Sequence, residues 1–207
     1  MAYDCTTGAL SVAGTPATGS PMTIAGWFYP ETTATGVLRT VCFVKGPDPN
    51  GHGNRLSWDS VNNTTNRLHA VATGANGTRQ ATAAQTFLPN TWVHGAAVFN
   101  SVSSRQAYLY GISGTTNTQT SGTQDTANAV VVGASFIGDV AEVGVWNVAL
   151  TAAEIASLAK GVRCDSIRPQ SLTFYAPLVR ELHDIEGGLT LGNPSSIPVS
   201  DHPRIYG

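Results

Sequence analysis

Acidic side chains come first among the residues that could do chemistry, because two carboxylates flanking a sugar linkage are the minimum for glycoside hydrolysis. The closest approach to such a pair is Asp184 and Glu186 in His183-Asp184-Ile185-Glu186-Gly187-Gly188. The flanking positions 182 and 188 hold Leu182 and Gly188, so no further acid at two-residue spacing joins the pair. Two acids in a turn-rich stretch read as a solvated turn or cap, so the chain is read as non-enzymatic. The histidines are His52, His69, His94, His183 and His202, and none pairs at the three-to-five spacing of a metal-binding helix or finger. Asp201 precedes His202, yet no G-x-S-x-G nucleophile turn accompanies them. The glycine-rich clusters lack a strand–GxxxxGK–helix context, so they are turns and not phosphate cradles.

Ligand binding leaves two sets of candidates. Hard oxygens beside glycines suit calcium: Asp48, Asn50 and Asn54 in GPDPNGHGN, Asp125 and Asn128 in TQDTAN, and Asp139 after Gly138. So few carboxylates imply weak affinity at best, and Asx-turn chemistry accounts for the same residues; no other cofactor is implied. A sugar site needs an aromatic platform ringed by polar groups. Of Trp27, Trp58, Trp92 and Trp146, the expectation falls on Trp58, facing outward beside Asp59 and Asn62, with Asp48 and Asn54 on the neighbouring loop. The other three tryptophans are read as packing residues.

These residues must be held by a scaffold, and the periodicity says which. Met22 to Pro30 alternates Met22, Ile24, Gly26 and Phe28 against Thr23, Ala25, Trp27 and Tyr29, then stops at proline. Further strands are predicted at Val37 to Lys45, Arg55 to Ser60, Arg67 to Thr73, Trp92 to Asn100, Arg105 to Ile112, Val130 to Gly133 and Leu172 to Leu178. The Asn/Thr turn VNNTTN separates the third and fourth of these, and a serine-containing turn joins Trp92–Asn100 to Arg105–Ile112. From Val140 to Trp146 the apolar residues alternate with one slip, Val140 then Val143 and Val145. Thr151 and Glu154 stand at capping-box spacing before a short helix near 151–160, which Gly161 stops. Strands at this spacing with one late helix predict an all-β, antiparallel sandwich.

The stretch FIGDVAEVGVWNVALTAAEI resembles the last core strand and trailing helix of laminin G-like, or concanavalin A-like, lectin domains. Gly138, Glu142, Val143, Val145, Trp146, Asn147, Ala149, Leu150, Glu154 and Ile155 match that pattern, while Ala141 stands where an acid is common. MTIAGWFYPE is similar to the family's F-T-I-S-A-W-V-K-P strand and VCFVKG to its I-L-S-K-G strand. NTWVHGAAVFN followed by RQAYLYG is similar to its W-x-H-V-A and L-Y pair. The resemblance spans roughly residues 10 to 162. It implies a jelly-roll-like sandwich across residues 1–207, with 165–207 as a closing strand and an extended C-terminal strap. In this family such a fold binds sugars, proteins or calcium, and only some branches catalyse.

Composition narrows the partners. Charged residues are 12% of the 207, about half the usual share. Eleven basic residues against thirteen acidic ones leave a net charge of −2, with no footprint for nucleic acid or an anionic membrane. No apolar run approaches the roughly 20 residues of a membrane span. Three cysteines, Cys5, Cys42 and Cys164, cannot all pair internally and read as thiols. MAYDCTTGALSVAG has neither a basic leader nor an apolar core, which is not the form of a secretory signal and predicts folding in a cytoplasm. A recognition fold without an export signal, rich in Thr, Ala and Gly, resembles phage-encoded lectin-like proteins. The expectation is therefore a virion-associated structural or adhesion protein (capsid decoration, head-fibre or tail-associated). Its partners would be other virion proteins, further copies of itself and, weakly, a cell-surface glycan. The alternative is a carbohydrate-binding module of a larger secreted enzyme or adhesin.

Overall fold

The computed structural model describes residues 2–17, 19–33, 36–47, 51–60, 63–193 and 195–205, without the side chains of 59, 60, 63 and 64. In chain order the strands begin with β1 (Ala2–Asp4), β2 (Leu10–Ala13), β3 (Met22–Pro30), β4 (Arg39–Lys45) and β5 (Gly53–Ser60). They continue with β6 (Asn63–Gly74), β7 (Gly77–Thr82), β8 (Val93–Ser101), β9 (Ser104–Leu109) and β10 (Ile112–Ser113). The remainder are β11 (Ala129–Val132), β12 (Gly138–Trp146), β13 (Leu172–Ala176) and β14 (Val199–Ser200), with helix α1 (Ala152–Ala159) between β12 and β13. Sheet A runs β10-β9-β8-β3-β12-β1-β14, and β13 joins β12 beside β1. Sheet B runs β2-β11-β4-β5-β6-β7. Every pairing is antiparallel. The all-β jelly-roll-like sandwich expected from the sequence is the observed fold.

The alternation in each strand explains the core. Met22, Ile24 and Phe28 of β3, Leu56 and Trp58 of β5, Leu68, Ala70 and Ala72 of β6, and Phe99 of β8 all point between the sheets. Gly95 of β8 is glycine for lack of room there, since a Cβ would stand 2.5 Å from Leu68 Cδ2. Strand β12 is buried along its whole length. Its slip in alternation is a β-bulge: Ala141 faces Trp27 and Gly144 faces Ala25, so Glu142 and Val143 together oppose Gly26. The bulge puts Glu142 at φ +54° and returns Val143 and Val145 to the core side after Val140.

A second, smaller core covers half of sheet A's outer face. Helix α1 lays Ile155 and Leu158 over Ala25, Ala96, Val98 and Tyr108, where the two alanines leave space for it. Its capping box is complete, with Thr151 Oγ1 accepting from Glu154 N and Thr151 N donating to Glu154 Oε2 at 2.7 Å. Trp146 Nε1 donates to Ile167 O at 2.7 Å and ties the following segment down.

Strand boundaries differ from the sequence reading where turns are tight. β6 begins at Asn63, inside the stretch expected to be a turn, because Ser60 and Asn63 already pair. The expected strand Arg105–Ile112 is broken by Tyr110 and Gly111, both at positive φ. β1, β2, β7 and β14 were not predicted, being short or polar. β14 pairs with β1, placing Ala2 opposite Ser200.

Candidate functional site

Trp58 is fully buried, which corrects the expectation that it faces outward. It follows Leu56 by two residues on β5, so it shares that residue's core-facing side. Phe87 and Phe136 meet its ring edge-on at 5.2 and 6.3 Å, and the Arg39 guanidinium lies 5.6 Å from its centroid. Asn54 is also buried, exchanging amide hydrogen bonds with Gln124 (3.2 and 2.9 Å), and so is not a ligand-facing group. Asp48, Asn50, Asn62 and the side chain of Asp59 lie outside the described residues.

The calcium candidates are far apart in role. Asp125 sits 3.4 Å from His52 Nδ1, while Asp139 lies on β12 in sheet A. Among the described residues, no group of three or more His, Cys, Asp or Glu gathers in a way that could hold a metal ion. Asp184 is fully buried and accepts backbone hydrogens from Tyr175 and Glu186 at Oδ1 and from Gly187 at Oδ2. It builds the turn between Leu182 and Thr190.

The aromatic platform is on the half of sheet A's outer face that α1 leaves uncovered. Trp27 and Tyr29 are half-buried and point away from the core, on the side opposite Phe28. Trp27 is laddered to His94 of β8, and the two rings meet edge-on with centroids 5.3 Å apart. Tyr29 lies against half-buried Trp92 at 5.7 Å. Next in the sheet, Ala141 faces Trp27 and Asp139 faces Tyr29 across β12. Ala141 adds only a methyl beside Trp27, and Asp139, 8% exposed, shares the outer face with Tyr29 as its ladder neighbour. Tyr110, 41% exposed, donates its amide to His94 O and extends the strip. His94 itself is 1% exposed; burial drives its pKa down to about 3, so the ring is neutral and is a packing element of the platform.

On the opposite side of β12 the bulge aims Glu142 into a polar cluster. One carboxylate oxygen, Oε2, accepts from the Tyr175 hydroxyl, and the other lies 3.1 Å from His202 Nε2. His202 Nδ1 lies 2.8 Å from Pro203 O. Arg163 stacks 5.9 Å above the Tyr175 ring and makes a bidentate pair with Asp165. Glu142, Arg163, His202 and Pro203, with Val179, Arg204 and Ile205, line an open cavity of about 460 Å³. Burial is the first cause raising the Tyr175 pKa, and its bond to Glu142 adds to it, so the phenol stays a donor.

Alternation already separates Trp27 and Tyr29 from Met22, Ile24 and Phe28, and this is the sequence signal that locates the platform. The same rule applied to Leu56-Ser57-Trp58 would have sent Trp58 inward.

Residues 4–156 match the concanavalin A-like lectin/glucanases superfamily. The chain belongs to this family. Among curated proteins no match to its sequence was found. Solved structures resemble it at low identity. A candidate carbohydrate-binding protein from Bacteroides ovatus superposes with a TM-score of 0.72 at 16% identity, over 99% of this chain and 61% of that one. The chain thus spans about six tenths of that protein's length. Domain 4 of AbnA, an extracellular GH43 arabinanase from Geobacillus stearothermophilus solved with arabinotriose, gives 0.51 at 19% identity, over 69% of this chain and 68% of that one. The enzymatically active domain of tailspike protein 2 from bacteriophage CBA120 gives 0.60 at 11% identity, over 83% of this chain and 28% of that one. At these identities the likeness is one of concanavalin A-like fold.

Proposed function

We propose that this protein is a non-catalytic glycan-recognition domain that binds sugar on the Trp27–Tyr29–Trp92 face of sheet A. The observation that carries this reading is the row of half-exposed aromatics laid beside a carboxylate on a rigid sheet. A pyranose has an apolar C–H face and a polar hydroxyl rim; the rings cover the first, and Asp139 accepts from the second. The carbohydrate-binding description of the Bacteroides ovatus protein supports the same class of ligand. Glu142 and Asp184 are not available as a hydrolytic pair. Glu142 has both oxygens committed to Tyr175 and His202, and Asp184 is spent on three backbone amides.

The setting we propose is the surface of a virion, where the domain would serve adhesion or decoration alongside other virion proteins and further copies of itself. The tailspike likeness supports this. A module within a larger secreted protein is the second reading, favoured by the likeness to a domain of an extracellular arabinanase.

Glycan-array binding followed by titration calorimetry tests the activity. Trp27→Ala and Trp92→Ala are expected to weaken binding at least tenfold with the fold retained. Unchanged affinity in both would sink the proposed face, and release of new reducing ends from a bound glycan would overturn the non-catalytic reading. Co-sedimentation with purified particles separates the two settings: a virion protein travels with them, a secreted module does not.

A further inference from the structure

The platform lies at the acidic end of sheet A, and the register fixes how close the acids are. One row crossing the sheet reads Asp4, Asp139, Tyr29: Asp4 is laddered to Asp139, and Asp139 to Tyr29. Trp92 closes the row through its ring contact with Tyr29. Laddered neighbours are about 5 Å apart, so Asp139 stands within one sugar ring's width of the phenol. Glu31 follows two residues after Tyr29, at the end of β3. Asp201 follows Ser200, which is laddered to Ala2 on the far side of β1. Burial is the main reason the Asp139 carboxyl sits above the usual carboxylate range. The charges of Asp4, Glu31 and Asp201 add to that rise. Three further acids therefore act on the carboxylate beside the rings. Arg163 and Arg204 line the cavity by Glu142, and Arg163 is held by Asp165.

We propose that this face selects uncharged glycans and rejects acidic ones, because a sugar stacked on Tyr29 and Trp27 must lie against Asp139 with Asp4, Glu31 and Asp201 behind it. A hydroxyl at the ring's edge donates to Asp139. A uronate carboxylate at the same edge has no proton to donate and meets only like charge. The selectivity rests on the glycan-binding reading given above and specifies its ligand class. A uronate about 4 Å from one carboxylate loses roughly fivefold in affinity in a water-like dielectric, and the acids behind Asp139 carry this toward tenfold at low salt. Salt screens such a difference, since the Debye length falls to about 3 Å at 1 M.

The test uses the full chain with hexasaccharides of glucose, mannose and galactose, each compared with its C6-oxidised uronate counterpart, at low and high ionic strength. The neutral member of a pair is expected to bind about five- to tenfold more tightly at low salt. That gap should narrow in 1 M NaCl and in Asp139→Asn, a change of charge with little change of shape. Trp92→Ala, checked for folding by its thermal midpoint, should weaken both members. Uronates binding as tightly as neutral sugars at low salt, with binding still lost in Trp92→Ala, would overturn the selectivity while leaving glycan binding intact. No binding by any member of the panel overturns both.

Discussion

The indole of Trp27 and the imidazole of His94 are ladder partners on adjacent strands, and their rings meet at 65° with centroids 5.3 Å apart. The contact helps fix the orientation of Trp27, and burial of His94 keeps its imidazole neutral. Its pH consequence can be signed. The His94 pKa falls from an ordinary 6.5 to about 3 in the folded protein. Above pH 6.5 both folded and unfolded states hold a neutral ring, and stability is unaffected. Between pH 6.5 and 3 the unfolded chain takes up a proton that the folded one refuses, so stability falls by up to about 1.4 kcal/mol per pH unit. Urea denaturation from pH 7 to 4 should show this slope. A His94→Gln variant, less stable at pH 7, should show a shallower one; equal slopes would refute the assignment.

Glu142 is expected to hold the C-terminal strap. Its carboxylate is buried and contacts both Tyr175 and His202. Glu142→Gln should cost about 2 kcal/mol, below the full penalty for breaking a buried pair because His202 retains some solvent contact. The readouts are a lowered urea midpoint at unchanged slope and faster tryptic cleavage after Arg204. Native-like cleavage would show that the strap is held by other contacts.

Asp184 should matter for stability and not for activity. Asp184→Asn replaces an acceptor oxygen with a donor in a fully buried position where three amide hydrogens converge. A loss of about 1–3 kcal/mol is expected. Glycan affinity, measured at a temperature where the variant is folded, should not change.

The thiols should be silent. Cys5, Cys42 and Cys164 are all buried and unpaired. Burial pushes the Cys5 pKa up to about 12, with Asp4 and Asp139 adding to it, and raises those of Cys42 and Cys164 as well. Thiolate is the reactive form. An Ellman titration at pH 8 should find three groups in guanidinium and none reacting quickly in the native protein. A fast native equivalent would place one cysteine at the surface.

How much of this was legible in the sequence depends on the range of the interactions. Strand β3 was readable to the residue, since proline marks its end and its alternation is unbroken. The helix cap was readable because both of its partners lie within four residues. Even the bulge was visible as the slip between Val140 and Val143. The site was not read correctly, because an aromatic's exposure depends on which face of a sheet other elements cover. Trp27 and Tyr29 remain accessible only because α1 packs over Ala25 and Ala96 and goes no further. For Trp58 the polar neighbours Asp59 and Asn62 suggest exposure, but its two-residue spacing from Leu56 decides that it faces inward. Glu142 meets His202 across sixty positions of chain, and no local pattern announces that.

The pairing of Ala2 with Ser200 has a mechanical consequence. The start of β1 lies against the end of β14, so a load applied through these two residues pulls their ladder apart one rung at a time, as a zipper opens. Resistance in that geometry is small, whereas a strand sheared along its length must break all its rungs together. Single-molecule stretching through Ala2 and Ser200 should therefore show a low-force release of β14 before the sandwich yields. A domain anchored this way would give a little before it lets go, and a single high-force rupture would contradict that.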